Sequence, residues 1–295
     1  MAAAQEEMKW LIAGGDGQLG CSLKRVLTES DCEFLALSRT EMDITNFSQV
    51  SEMIKKSCAD IVVNAAAYTN VEQAESDRDK AFLVNETGTR NLAIAARETG
   101  SRFLHFSTDY VFSGPGSIPW QVTSPVKPLS IYGQSKLAGE KAIQQEHLEG
   151  SLIVRTAWLY SPYGKNFYKT LLKLASQNAE PVNVVSDQIG QPTNAMELAH
   201  LVIQAIKNEI PAGTYHASNS GQASWFDFAR MIFELASADP SRITAIGSSE
   251  YKAKAPRPEF SVLANSNWPE FGVKPLNPWQ DSVASAFPSI CQSMS

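Results

Sequence analysis

The sequence predicts an α/β fold, a doubly wound parallel sheet with a smaller C-terminal lobe. Three observations predict it. Short apolar runs alternate with helical periodicity through the first half, a glycine-rich turn follows the first run, and the alternation fades in a second half punctuated by Pro and Gly.

The elements follow in order. Residues 9–13 read as a buried strand and 19–30 as the helix after it. Strands at 33–37 and 60–64 flank a helix over 48–56, which Thr45 or Asn46 can cap. A helix over 87–98 stops at Gly100, and strand 102–107, helix 131–145 and strand 151–155 complete the pattern. Beyond it, 167–176, 195–207 and 225–236 look helical, while Pro256, Pro258, Pro269, Pro275 and Pro278 make the end read as irregular. Residues 8–157 are therefore expected to bind a dinucleotide. Residues 158–295 are expected to form mainly a substrate-binding lobe, with some segments returning to the sheet.

Bulk properties narrow the partners. The chain has 295 residues, 43% hydrophobic and 19% charged, enough for a sizeable core. A net charge of −6 argues against nucleic acid and against an anionic membrane surface. No apolar run approaches the roughly 18 residues of a membrane span. Residues 1–7 read as a loose acidic tail and not a signal peptide. Cys21, Cys32, Cys58 and Cys291 form no CxxC pair, as expected of reduced cytoplasmic thiols. His105, His147, His200 and His216 lack metal-ligand spacing, so no metal is expected and all four are read as structural.

Gly14, Gly17 and Gly20 repeat every third position directly after the first strand, with Asp16, Gln18 and Leu19 between them. Such a turn lets backbone approach a pyrophosphate at a helix amino end, which makes the sheet Rossmann-type and the ligand a nicotinamide dinucleotide. At the end of the second strand, Ser38 stands where a carboxylate would bind the ribose of NAD, and Arg39 follows. A guanidinium there suits the 2′-phosphate of NADPH, although a solvated arginine and the nearby Glu41 leave NADH open as a second cofactor.

Tyr132 and Lys136 lie at i and i+4, on one helix face. A lysine cation near a phenol favours phenolate and is expected to lower the tyrosine's pKa. Ser107 and Thr108 end the fourth strand, where a hydroxyl can donate to a substrate carbonyl.

These segments, together with Asn85, the Asp-Gln-x-Gly-x-Pro-Thr run at 187–193 and the Arg-Thr-x-Trp run at 155–158, resemble the extended short-chain dehydrogenases/reductases. Within that group the chain is similar to the dTDP-4-dehydrorhamnose reductase family, from Trp10 to about Ser285. The resemblance implies Thr108, Tyr132 and Lys136 as the catalytic set. It implies that Asp43, Ile44, Ala65, Ala66, Ala67 and Asn85 line the cofactor, and that Val71, Asp109, Tyr110 and Trp158 contact the sugar, with Lys165 and Arg257 as candidates for the nucleotide phosphates. Glu72 stands where the family usually has Asp. The activity implied is NADPH-dependent reduction of the 4-keto group of dTDP-4-dehydro-L-rhamnose by a cytoplasmic enzyme, with a homodimer left open. Two alternatives stay open: a reductase for a related dTDP-keto sugar, and an NADP-binding regulatory subunit similar to the beta subunit of methionine adenosyltransferase.

Overall fold

The first apolar run becomes β1 (Trp10–Ala13), buried along its whole length. It lies between β2 (Phe34–Leu37) and β3 (Ile61–Asn64), both parallel to it. Beyond β3 come β4 (Arg102–Thr108), β5 (Ser151–Thr156) and β6 (Gly213–His216), giving the all-parallel order β6-β5-β4-β3-β1-β2. These relations come from a computed structural model that describes residues 8–177 and 180–294. The tail read over residues 1–7 lies outside the described residues.

Strand order reverses at β1, so the connections leaving β1 and β3 diverge and open a crevice at the carboxyl ends of the strands. The turn after β1 leads into α1 (Gln18–Glu29). Asn46, one of the two capping candidates, starts α2 (Phe47–Ser57) by accepting from the Gln49 N–H. The next helix, α3 (Thr89–Thr99), ends at Gly100 with φ 73°, a left-handed turn that glycine adopts freely. It begins later than expected because Leu83–Gly88 winds as a π-helix. Ser130 caps α4 (Ile131–Glu146) by accepting from the Gly133 N–H.

The second half contributes α5 (Phe167–Ser176), α6 (Ala195–Lys207), α7 (Trp225–Leu235) and α8 (Trp279–Gln292). Two of its segments return to the first half: β6 extends the sheet beside β5, and α6 shares one apolar core with α1. A separate core of Tyr160, Tyr168, Phe228, Phe233 and Trp279 holds the smaller lobe. Helix α8 was not expected, because the prolines before it read as breaks; it starts directly after Pro278 and carries Pro288 inside it. Among the described residues, no helix is long and apolar enough to cross a membrane.

Candidate active site

A cavity of about 780 Å³ opens at the switch point and runs from the β1 turn to the second lobe. Gly14, Asp16, Gly17, Gln18 and Leu19 line one end. Glycine is obligatory at two positions of this turn. Gly14 has φ 81°, and a Cβ there would lie 2.6 Å from the Ala66 nitrogen, while a Cβ on Gly20 would lie 2.2 Å from the Gly14 oxygen. Gly17 caps α1 without any side-chain bond, and no acidic residue occupies the first turn. The helix therefore presents bare amides and its positive pole at the cavity, a seat for a diphosphate.

Arg39, Asp43, Ile44, Ala65, Ala66 and Ala67 line the adjoining wall. Ser38 does not. Its N–H and Oγ both donate to one oxygen of Glu41, at 2.8 and 2.6 Å, so this carboxylate is occupied at the strand end while Arg39 faces the cavity. Asp43 holds its loop by accepting from the Thr45 N–H and hydroxyl, and the backbone bond keeps its carboxyl below the usual range. Asn85 lies behind the lining. It is 1% exposed and its amide is consumed by the Tyr68 backbone and Ser135, so it clamps the loop after β3 to α4.

At the far wall stand Thr108, Tyr132, Lys136, Trp158 and Lys165. Beside the Tyr132 phenol, Thr108 Oγ1 donates to Asp109 Oδ1 at 2.8 Å and accepts the Tyr110 N–H at 3.2 Å. Burial pushes the Tyr132 phenol up to about 12, which reverses the lowered value expected from the lysine. The reason is geometric: Lys136 Nζ donates to the Phe106 carbonyl at 2.7 Å and lies 3.3 Å from His105 Nε2. A raised pKa keeps the phenol protonated at neutral pH, as a proton donor requires.

Val71, Asp109, Tyr110 and Arg257 lie outside the lining. Tyr110 packs edge-on against Tyr132, ring centroids 5.6 Å apart. Val71 opens a short turn of helix, Val71–Ala74. Arg257 pairs at 2.6 Å with Glu72, so one candidate phosphate anchor is already held by a carboxylate across the two halves. Trp158 has φ 43° and stacks at 3.6 Å on Trp225, while a Cβ on Gly190 would lie 2.5 Å from its indole. A bulky residue in the left-handed region carries strain that the surrounding packing must hold, a common mark of functional sites.

Sequence reasoning missed Trp225, His105, Asn64 and Thr156. Thr156 belongs to the Arg-Thr-x-Trp run, which was the available signal, whereas Trp225 reaches Trp158 only through the fold. Thr156 lines the cavity, and its Oγ1 is buried without a hydrogen-bond partner.

Asp109 is fully buried with Oδ2 unpartnered, and desolvation raises its pKa from 3.8 to about 6. Its folded value exceeds its unfolded one, so its contribution to stability is complete below about pH 3.8 and is lost as pH rises through about 6. Asp109→Asn is expected to raise Tm at about pH 7.5 and to leave it nearly unchanged at about pH 4. Equal changes at both values would show that the carboxylate bears no desolvation penalty.

Comparison with known proteins gives a consistent result. The family model described as "RmlD substrate binding domain" matches residues 8–291. A spore coat polysaccharide biosynthesis protein, SpsK, of Bacillus subtilis is 40% identical over 93% of this chain and 95% of its own. A dTDP-4-dehydrorhamnose reductase of Streptomyces griseus is 39% identical, covering 96% of this chain and 94% of that protein. The crystal structure of a dTDP-4-dehydrorhamnose reductase from Bacillus anthracis in complex with NADP superposes with TM-score 0.91 at 35% identity, covering 96% and 99% of the two chains.

Proposed function

The chain belongs to the RmlD substrate-binding-domain family, and on that premise we propose that it reduces the 4-keto group of dTDP-4-dehydro-L-rhamnose to give dTDP-L-rhamnose, using NADPH. The observation that carries the reading is a single cavity with a bare glycine turn at one end and the Thr108–Tyr132–Lys136 group at the other. The relative from Bacillus anthracis crystallised with NADP supports the cofactor.

The residues present fit that cofactor. The amino end of α1 and the Gly14–Gly20 turn would take the pyrophosphate, Arg39 the 2′-phosphate, and Asp43, Ile44, Ala65, Ala66 and Ala67 the adenosine side. When bound, the cofactor supplies hydride to the sugar carbonyl carbon. Tyr132 donates the proton to the carbonyl oxygen, and Thr108 bonds that oxygen as charge develops. Trp158 offers a flat apolar wall that suits a 6-deoxy sugar, and Lys165 an anchor for its diphosphate. We assign residues 8–157 to the cofactor and 158–295 mainly to the sugar nucleotide, with α6 and β6 as the returning segments. A cytoplasmic location and a homodimer complete the proposal; sedimentation tests the dimer.

The deciding experiment incubates the purified protein with NADPH and dTDP-4-dehydro-L-rhamnose, follows absorbance loss and identifies the product by mass and NMR. Folded, NADPH-bound protein that turns nothing over would overturn the reductase reading and leave a binding role.

Arg39 tests the cofactor preference. Its side chain is 70% exposed, and its pairing with Asp43 is loose at 3.9 Å. Water and salt screen such a charge, so Arg39→Ala is expected to weaken NADPH by roughly 1 kcal/mol, about fivefold, and NADH hardly at all. Equal losses for the two cofactors would show that Arg39 does not read the 2′-phosphate.

A further inference from the structure

The Asp-Gln-x-Gly-x-Pro-Thr run at 187–193 supplies none of the residues that line the cavity, yet it meets Trp158, which does line it. Leu159–Tyr160 pairs in parallel with Thr193–Asn194, and the Thr193 N–H donates to the Trp158 carbonyl at 3.2 Å. Ile189–Gly190 pairs antiparallel with Ala223–Ser224. Ser224 then caps α7: its Oγ accepts the Asp227 N–H at 3.0 Å, and Asp227 Oδ2 accepts the Ser224 N–H at 2.9 Å. That reciprocal pair fixes the start of α7, whose first residue is Trp225.

Trp225 covers one face of the Trp158 indole, with ring centroids 3.6 Å apart and planes 9° from parallel. Phe167, the first residue of α5, packs edge-on against Trp225 at 4.8 Å and 74°. Gly190 adjoins the same indole. A Cβ there would lie 2.5 Å from Cε2 and Cζ2 and 2.8 Å from Nε1, so the ring could not stay where it is. At φ 43° the Trp158 backbone holds a conformation that a side chain resists, and the stack of two indoles opposes that resistance with a free energy of similar size.

We propose that Gly190 and Trp225 are positioning residues, a clamp that holds Trp158 in its left-handed conformation and so sets the wall against which the sugar lies. Neither lines the cavity, so both act on the sugar through Trp158 and leave the seat of the cofactor as it is. The effect on turnover rests on the reading that Trp158 contacts the sugar of the nucleotide substrate.

Three substitutions and two readouts test the clamp in the whole chain. ¹⁵N-tryptophan protein gives six indole N–H signals, one per tryptophan, and Trp158→Phe identifies the Trp158 signal by its loss. We expect Gly190→Ala and Trp225→Leu each to shift the Trp158 signal, while Trp10 and Trp268, in the core shared with α1, keep theirs. At saturating NADPH, KM for dTDP-4-dehydro-L-rhamnose rises about tenfold in each, the upper end of what one aromatic contact is worth, with kcat within about twofold of wild type and NADPH affinity unchanged. Trp225→Phe keeps a ring over the indole and returns KM to near the wild-type value. A Trp158 signal that stays in place in the folded variants overturns the proposal, as does a KM that ignores the shift or a phenylalanine no better than leucine. Should Gly190→Ala fail to fold, the two Trp225 variants decide. Wild-type protein that turns over no keto sugar would count against the reductase reading, and the indole signals would still decide whether the clamp holds Trp158.

Discussion

Tyr132→Phe lowers turnover by about 10²–10⁴-fold and leaves NADPH affinity close to wild type, the expected cost of losing a general acid while keeping its ring. The ring contributes packing against Tyr110 that phenylalanine preserves. Only the hydroxyl is lost, and the Thr108 bonds to Asp109 and the Tyr110 N–H remain. Because burial keeps the phenol near 12, wild type and variant differ by a bound proton throughout the neutral range. Stopped-flow hydride transfer and fluorescence titration of NADPH separate the two effects. A variant with near-wild-type turnover would remove Tyr132 from the mechanism.

Arg155→Met is expected to produce the largest loss of stability. Arg155 and Glu140 are 6% and 1% exposed and joined by two hydrogen bonds, Nε to Oε1 at 2.9 Å and Nη2 to Oε2 at 2.7 Å. Ser107 Oγ donates to the same carboxylate, and Arg155 Nη1 reaches the Val122 carbonyl. The network ties β5 to the helix that carries Tyr132 and Lys136, and to the strand that ends at Thr108. Removing the guanidinium alone leaves a buried carboxylate without its partner, at a cost of about 3–5 kcal/mol. For a chain of this size that lowers Tm by on the order of 10 °C. The double variant Arg155→Met/Glu140→Leu should recover most of the loss, because buried ion pairs replaced by apolar groups are often neutral. Calorimetry decides: a double variant no more stable than the single one would mean the loss is packing, not charge.

What could be read in the sequence follows from range. Strands β1 to β5 and helices α1 to α4 were legible because each is announced within a dozen residues, by an apolar run, helical periodicity, a capping Asn46 or a stopping Gly100. The proposed catalytic trio came from the family resemblance, while spacing alone placed Tyr132 and Lys136 on one helix face and a hydroxyl, Ser107 or Thr108, at a strand end. What escaped depends on contacts between distant segments. Trp225 meets Trp158 only because α7 packs beside the strand end, and His105 gains its neighbours Asn64 and Lys136 from two other elements. The lowered phenol pKa inferred from Tyr-x-x-x-Lys failed for the same reason. Spacing brings the lysine to the correct face, but burial and the Phe106 carbonyl decide what both side chains do there.

The return of α6 and β6 to the first half has a consequence for how the chain can be cut and made. The core against α1 is completed by Leu198, Leu201, Val202 and Ile206 of α6 and by Tyr215 of β6. A fragment ending near residue 157 keeps the entire glycine turn, Tyr132 and Lys136, yet leaves that apolar face bare and the β5 edge unpaired. On the ribosome, the cofactor half therefore waits for the emergence of residues some sixty positions downstream before its sheet can close. Expressed alone, that half should aggregate, and supplying residues 158–295 as a second polypeptide during refolding should restore a soluble, NADPH-binding pair.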